Sequence, residues 1–373
     1  SLRRQRQMCI RDRNNFRNYE NLQISFDEGT NILFGDNAQG KTNILEAAYL
    51  SGTTKSHKGS KDKEMIRFGT NEAHLRTMVL KNGKQYQIDM HLKHNRSKGI
   101  AVNKIPMKKA SELFGILNIV FFSPEDLNII KNGPSERRHF LDAELCQLDK
   151  IYLSDLSNYN KILNQRNKLL KDMVYRPELS DTLPVWDMQL ADTGKKIIRR
   201  REQFVKELNE LVHEIHYRIS GGREELFLSY EPSVSADLLE QELERVKPRD
   251  LKQCQTSVGP HRDDLLFSIA GVDIRKFGSQ GQQRTSALSL KLSEIELVRK
   301  SIHDTPVLLL DDVLSELDSN RQNYLLNSIC DTQTIITCTG LDEFIRNRFE
   351  INKVFEVISG QVFEKGQVIE RQG

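Results

Sequence analysis

At 373 residues the chain exceeds what one hydrophobic core usually serves, which favours two or three domains. With 38% hydrophobic and 29% charged residues, 21 Gly, 9 Pro and no apolar run near the ~18 residues of a membrane span, the composition excludes a disordered, collagen-like or integral membrane protein and fits the cytoplasm. The net charge of +3 conceals a +4 opening segment, residues 1–13, so the remainder sums to −1 and whole-chain charge carries no argument for nucleic acid.

In chain order, that atypical basic N-terminal segment comes first. It has no apolar stretch after its arginines, so it is no secretory signal, and it reads either as a basic arm or as a stretch foreign to the fold. Leu22, Ile24 and Phe26 alternate as in a half-buried strand. The run Ile32-Leu33-Phe34 is a buried strand that enters a glycine loop, followed by a helix with Ile44, Leu45, Ala48 and Tyr49 on one face. Residues 75–105 suggest hairpins, with Asn82-Gly83 as a turn, and Ile116–Phe122 another buried strand.

From 134 to 220 the pattern becomes helical. A break at 176–184 divides the segment into what reads as an antiparallel helix pair, and Gly221-Gly222 ends it. Strand patterns return at Leu226–Tyr230 and Leu265–Ile269, then a helix over about 281–300, then the apolar strands Val307–Leu310 and Gln333–Thr339. The expected architecture is α/β, with 14–133 and 221–373 forming one domain and 134–220 a helical arm inserted between its halves.

Three constellations carry chemistry. Gly35-Asp36-Asn37-Ala38-Gln39-Gly40-Lys41-Thr42 matches G-x-x-x-x-G-K-[ST], in which glycines let backbone N–H groups close around phosphates at a helix start. Lys41 is placed to reach the β- and γ-phosphates of ATP, and the Thr42 hydroxyl to ligate Mg²⁺. Second, four apolar residues of one strand end in Asp311-Asp312. Asp311 suits Mg²⁺ and Asp312 suits activation of the attacking water, although a turn or helix cap would also explain the pair in isolation. Third, Ser279-Gln280-Gly281-Gln282 opens a helix and offers free N–H groups to an anion, or simply an N-cap.

For DNA, Lys104, Lys108 and Lys109 lie in the run 93–109, which has no acidic residue, and Lys58 lies in a second basic stretch at 55–67. Both also read as solvated faces. Lys195, Lys196 and Arg199–Arg201 have glutamates nearby and read as solvated helix surface. The five cysteines are scattered and read as reduced thiols.

In this order the three motifs resemble those of the ATP-binding-cassette ATPases of the SMC-like group, with Ser315–Asp318 resembling their D-loop. Within that group the chain resembles the RecF family over residues 14–373. The resemblance rests on Asn15–Tyr19, the Gly-Asp-Asn-Ala start of the phosphate loop, Phe122–Leu127, Arg137–Asp142, Gly259–Leu265, the Ser279 loop and Leu310–Asp318. It implies nucleotide contacts from Arg17, and from Ser279, Gly281 and Gln282 across a dimer interface. It further implies ATP and Mg²⁺ as cofactors, weak ATP hydrolysis used as a switch, an ATP-dependent homodimer on single-stranded, gapped or junction DNA, and the RecR and RecO mediators as partners. The expected role is loading recombinase at gaps, fork maintenance and support of the SOS response. Two departures stand out: residues 1–13 do not resemble the family's opening strand, and Ser56-His57-Lys58-Gly59 replaces Ser-His-Arg-Thr. Where many transporter ATPases carry a switch histidine this chain has Thr337-Cys338-Thr339, a lack that RecF-like sequences share, which leaves Thr339 as a candidate for γ-phosphate sensing. His261 is singled out by the resemblance alone. A transporter's ATPase subunit and a P-loop small-molecule kinase are the rival readings; the kinase has no use for a second phosphate loop.

Overall fold

The computed structural model describes residues 7–109, 112–329, 331–341 and 351–365. In chain order come β1 (Gln7–Phe16), β2 (Tyr19–Ser25), β3 (Thr30–Phe34), α1 (Lys41–Thr53), β4 (Glu72–Lys81), β5 (Lys84–Lys93), β6 (Arg96–Val102), β7 (Ile105–Pro106) and β8 (Ile119–Phe122). They are followed by α2 (Leu127–Lys131), α3 (Pro134–Leu148), α4 (Lys150–Asp172), α5 (Leu183–Ile219), β9 (Leu226–Glu231), α6 (Leu239–Gln253), β10 (Asp264–Ile269), β11 (Val272–Asp273) and α7 (Ile274–Phe277). The chain continues with α8 (Gln280–Ile302), β12 (Val307–Asp311), α9 (Ser319–Ser328), β13 (Thr334–Cys338), β14 (Ile351–Ile358) and β15 (Gln361–Lys365). No described helix is long and apolar enough to cross a membrane.

The chain divides into two compact units, one built from residues 1–126 and 294–373, the other from 127–293. The first holds two six-stranded sheets. One is the antiparallel meander β2-β1-β4-β5-β6-β7; the other has the order β15-β14-β3-β13-β12-β8, parallel except for β15. Helix α1 touches strands of both sheets, and Ile44, Leu45, Ala47, Ala48 and Leu50 share one apolar core with Leu75, Val79, Leu309 and Ile335. It is therefore buried nearly all round, rather than on the single face expected. Asn82 and Gly83 both have positive φ, as the mirror-image hairpin turn requires.

Residues 7–13, expected to stand apart from the fold, instead form the first part of β1, an inner strand paired with both β2 and β4. Met8 and Ile10 are fully buried there. Their alternation is what the surrounding arginines masked in the sequence.

In the second unit α4 and α5 pack side by side. Arg166 bonds Asp187 near one end, and Arg201 bonds Tyr152 near the other, so the pair is antiparallel as expected. The unit extends beyond the expected arm of 134–220, however. It also takes in the antiparallel sheet β9-β10-β11, α6 and the Ser279 loop, all expected from the sequence in the C-terminal part of the head. The reason is packing: α5 lies on β9, and Arg137 of α3 makes a bidentate pair with Asp264 at the start of β10.

Candidate nucleotide site

Strand β3 lies beside β13, which lies beside β12, in parallel register: Leu33 aligns with Thr337, and Thr337 with Asp311. The phosphate loop and the carboxylate therefore emerge at the same edge, where open α/β sheets bind ligands. Gly40 is the N-cap of α1 at φ 110°, and a Cβ there would stand 2.5 Å from Asn18 Nδ2, so only glycine fits. The loop is braced from outside: Asn18 Nδ2 donates to the Gln39 carbonyl at 3.2 Å, Tyr19 Oη to the Gly40 carbonyl at 3.1 Å, and the Gly360 N–H to the Gln39 carbonyl at 3.2 Å. Asp36, Asn37 and Ala38, at the crest of the loop, are exposed.

Lys41 is buried, and its ammonium donates to the carbonyls of Gly35 at 2.5 Å and Asp36 at 2.8 Å. Burial lowers its pKa, against the opposing pull of Asp312, Cys338, Asp311 and Asp36. The Thr42 hydroxyl donates to Asp311 Oδ1 at 2.9 Å and the Thr337 hydroxyl to the same oxygen at 2.8 Å, so residues 269 positions apart meet at one carboxylate. Burial raises the Asp311 pKa, and those two hydrogen bonds and the charge of Lys58 hold it down. β12 ends at Asp311; Asp312 follows at φ 53° and its N–H donates to Thr337 Oγ1 at 3.0 Å. The strand has thus ended before Asp312, and strict side-chain alternation no longer opposes its carboxylate to that of Asp311. Two hard oxygens, one a carboxylate whose burial disfavours an uncompensated charge, suit a hydrated Mg²⁺ completed by phosphate oxygens.

The remaining expected residues have partners of their own. The Arg17 guanidinium makes a bidentate pair with the buried Glu46 of α1, both contacts at 2.7 Å, and also bonds Ser60; its neighbours Asn18 and Tyr19 are the ones that touch the loop. Ser279, Gly281 and Gln282 lie in the second unit at the start of α8. The Ser279 N–H donates to Gln282 Oε1 at 2.9 Å and the Gln282 N–H to Ser279 Oγ at 3.2 Å, a reciprocal capping box, while Gln282 Nε2 bonds Glu224 at 2.9 Å. Ser279 and Gly281 are exposed, but the Gln282 amide is committed to the cap and to Glu224.

Lys104 forms the tip of the β6–β7 hairpin, and Lys108 and Lys109 are exposed beyond it. Within the same basic run Lys98 pairs with Asp62 at 2.7 Å and Lys93 with Glu72 at 3.5 Å, so part of its charge is neutralised across the fold. In the second unit Lys195, Lys196, Arg199 and Arg200 are all paired with carboxylates. Arg201 is not solvated surface, as expected from the sequence, but fully buried on Asp142 and Tyr152. The four described cysteines are free thiols.

Sequence reasoning gave no role to Thr337, and named Asn18 and Tyr19 only as part of the Asn15–Tyr19 motif. A threonine inside an apolar strand carries no local signal; only the β12–β13 register turns it toward Asp311.

The parallel sheet, the phosphate loop, the paired Asp311 and Thr42, and an inserted second unit define a cassette-type P-loop ATPase head. The model of the RecF/RecN/SMC N terminal domain matches residues 12–361. DNA replication and repair protein RecF of Agathobacter rectalis is 74% identical over 93% of this chain and 96% of its own length, and that of Lachnospira eligens 63% over the same shares. The solved structure of the recombination mediator protein RecF-ATPrS in the RecFOR pathway superposes with a TM-score of 0.90 at 37% identity, covering 98% of this chain and all of that one. The Smc head of Pyrococcus furiosus, at 17% identity and TM-score 0.54, shares the fold alone. The chain belongs to the RecF family.

Proposed function

We propose that this chain is an ATP-dependent DNA-binding protein of recombinational repair and replication-fork maintenance, a homodimer that closes on DNA when ATP is bound and opens when it is hydrolysed. The observation that carries the ATP half of this reading is the meeting of Thr42 and Asp311 beside Lys41. The DNA half rests on family membership: the relatives are DNA replication and repair proteins RecF, and the neighbouring solved structure belongs to the RecFOR pathway.

In this reading the loop 35–42 holds the phosphates and Lys41 offsets the charge on the γ-phosphate. Mg²⁺ held by Thr42 and Asp311 supplies Lewis-acid neutralisation of the phosphate oxygens. Asp312 orients and deprotonates the attacking water. Hydrolysis is slow, because it ends a grip rather than driving a metabolic flux. Ser279 and Gly281, exposed at the start of α8, serve the γ-phosphate bound by a second copy, with Gln282 bracing the loop. Lys104, Lys108 and Lys109 contribute sequence-independent phosphate contacts, and RecR and RecO are the partners at single-strand gaps. Regulated DNA gripping also fits a role in the SOS response.

Sedimentation of the full chain with a gapped duplex, with and without ATP, tests the reading. ATP should convert monomer to a DNA-bound dimer. Unchanged sedimentation with ATP bound would refute the clamp.

A further inference from the structure

The motifs at Arg137-Arg138 and Gly259–Leu265 take no part in the nucleotide site, and both lie in the second unit. The loop they share is fixed from several sides. His261 Nε2 faces the Thr256 carbonyl at 3.1 Å, and Nδ1 faces Tyr159 Oη at 2.7 Å. A carbonyl only accepts, so Nε2 carries the hydrogen and Nδ1 accepts from the phenol. Burial holds this histidine's pKa near 4, which makes it a neutral clamp rather than an acid or base. Gly259 stands at φ 121°, with its N–H on Ser233 Oγ at 2.9 Å, and a Cβ would meet Tyr159 Oη at 2.5 Å. The buried Asp263 accepts from the Ser233 N–H at 2.8 Å and from the Tyr230 hydroxyl, while buried Arg201 donates to the Pro260 carbonyl at 2.7 Å.

Two further guanidiniums rest on this rigid loop. Arg138, half-buried on α3, donates through Nη1 to the Asp263 carbonyl at 2.8 Å. Exposed Arg262, the residue before Asp263, donates through Nη2 to the Thr256 carbonyl at 3.2 Å. Each is aimed by a main-chain oxygen, and neither has a carboxylate within ion-pair distance among the described residues. Arg137 and Arg201, close by, are paired with Asp264 and Asp142. Burial and the like charge of Arg201 lower the Arg138 pKa; Asp264 and Asp263 offset part of that, and Arg262 lowers it further. Holding positive charges together on a preorganised frame costs stability unless an anion binds there.

We propose that Arg138 and Arg262 form a site for the sugar-phosphate backbone of DNA on the second unit, separate from the exposed lysines of the first. Most of their N–H groups remain for phosphate oxygens, and guanidinium forks suit that geometry. A polyanion brings successive phosphates to the pair, which a single small anion does not. This rests on the DNA-binding reading above.

The test is equilibrium binding of the full chain with ATP to a duplex oligonucleotide across a salt series. The double variant Arg138→Gln/Arg262→Gln should reduce the slope of log affinity against log salt by about 2, one unit per lost phosphate contact. The double lysine variant should keep most of the slope, with melting temperature and ATP affinity unchanged in both. If the double glutamine variant does not fold, Arg262→Gln alone, at an exposed position, should lower the slope by about 1. An unchanged slope in a folded glutamine variant overturns the site, as does an equal loss in the lysine variant, which would mean that packing rather than charge was removed. Failure of the wild-type chain to bind the duplex at all overturns the DNA-binding reading itself, and the site with it.

Discussion

Single residues at the nucleotide edge divide into those that hold phosphate and those that act on water. Lys41 is the only side-chain cation within the loop 35–42; burial lowers its pKa, and the neighbouring Asp312, Asp311 and Asp36 oppose that shift. A charge-assisted hydrogen bond contributes about 1.5–3 kcal/mol, so Lys41→Ala should weaken ATP binding roughly 10- to 100-fold in a folded protein. Asp312→Asn, just past the strand, should instead leave ATP affinity unchanged and lower turnover by about two to four orders of magnitude. Nucleotide titration alongside single-turnover hydrolysis separates the two. The loop and Asp311 were legible in the sequence because each needs a fixed string of neighbours. Thr337 was not, because its partner is chosen by strand register.

Near this edge, His57 is stacked on Phe121 at 4.1 Å, with Tyr49 edge-on at 6.0 Å, and neither ring nitrogen has a hydrogen-bond partner among the described residues. Burial depresses its pKa to about 4. Below pH ~6.5 the unfolded chain takes up a proton that the folded ring refuses until about 4, so stability is complete above that window and falls as pH drops through it. His57→Phe keeps the stacking area and removes the titration. Thermal melts at pH 7 and pH 5 should show a smaller acid-induced loss for the variant than for wild type, by an amount on the order of 2 kcal/mol; equal losses would mean that His57 is charged in the folded state.

Secondary-structure elements were legible where period and turn chemistry agreed, as in β2, β3, β12 and the Asn82-Gly83 hairpin. β1 was hidden by the arginines around Met8 and Ile10. The membership of β9–β11 in the second unit was hidden because it depends on side-chain pairs between distant segments. The antiparallel α4–α5 pair was legible from the break at 176–184, but the contacts that fasten it were not. Arg166 is wholly buried and bonds Asp187 at 2.6 Å, Asp250 at 2.8 Å and the Thr256 hydroxyl at 2.8 Å, joining α4, α5, α6 and the loop that follows α6. Desolvation already raises the Asp187 pKa. Arg166→Met would leave two buried carboxylates without their cation, at a cost of about 3–5 kcal/mol. Urea unfolding followed by a signal from the second unit should register that loss, and the double replacement Arg166→Met/Asp250→Leu should recover part of it.

At the scale of the whole molecule, the phosphate loop belongs to one unit and the exposed Ser279 start of α8 to the other. If each ATP is held by the loop of one copy and the serine of the next, lesions in the two elements must complement between subunits. Ser279→Arg places a bulky cation at the helix start but leaves the loop 35–42 untouched, so the isolated chain should bind ATP normally yet fail to dimerise with it. Lys41→Ala should fail earlier, at binding. In a mixed dimer of the two variants, one composite site combines both lesions and the other combines an intact Lys41 with an intact Ser279. ATPase activity and ATP-dependent retention on DNA should therefore reappear on mixing, at up to about half the wild-type level per dimer, since one of two sites is restored. Titrating one variant into the other while following hydrolysis checks this directly. No recovery, together with loss of ATP binding by the Ser279→Arg chain alone, would show that each copy completes its own site.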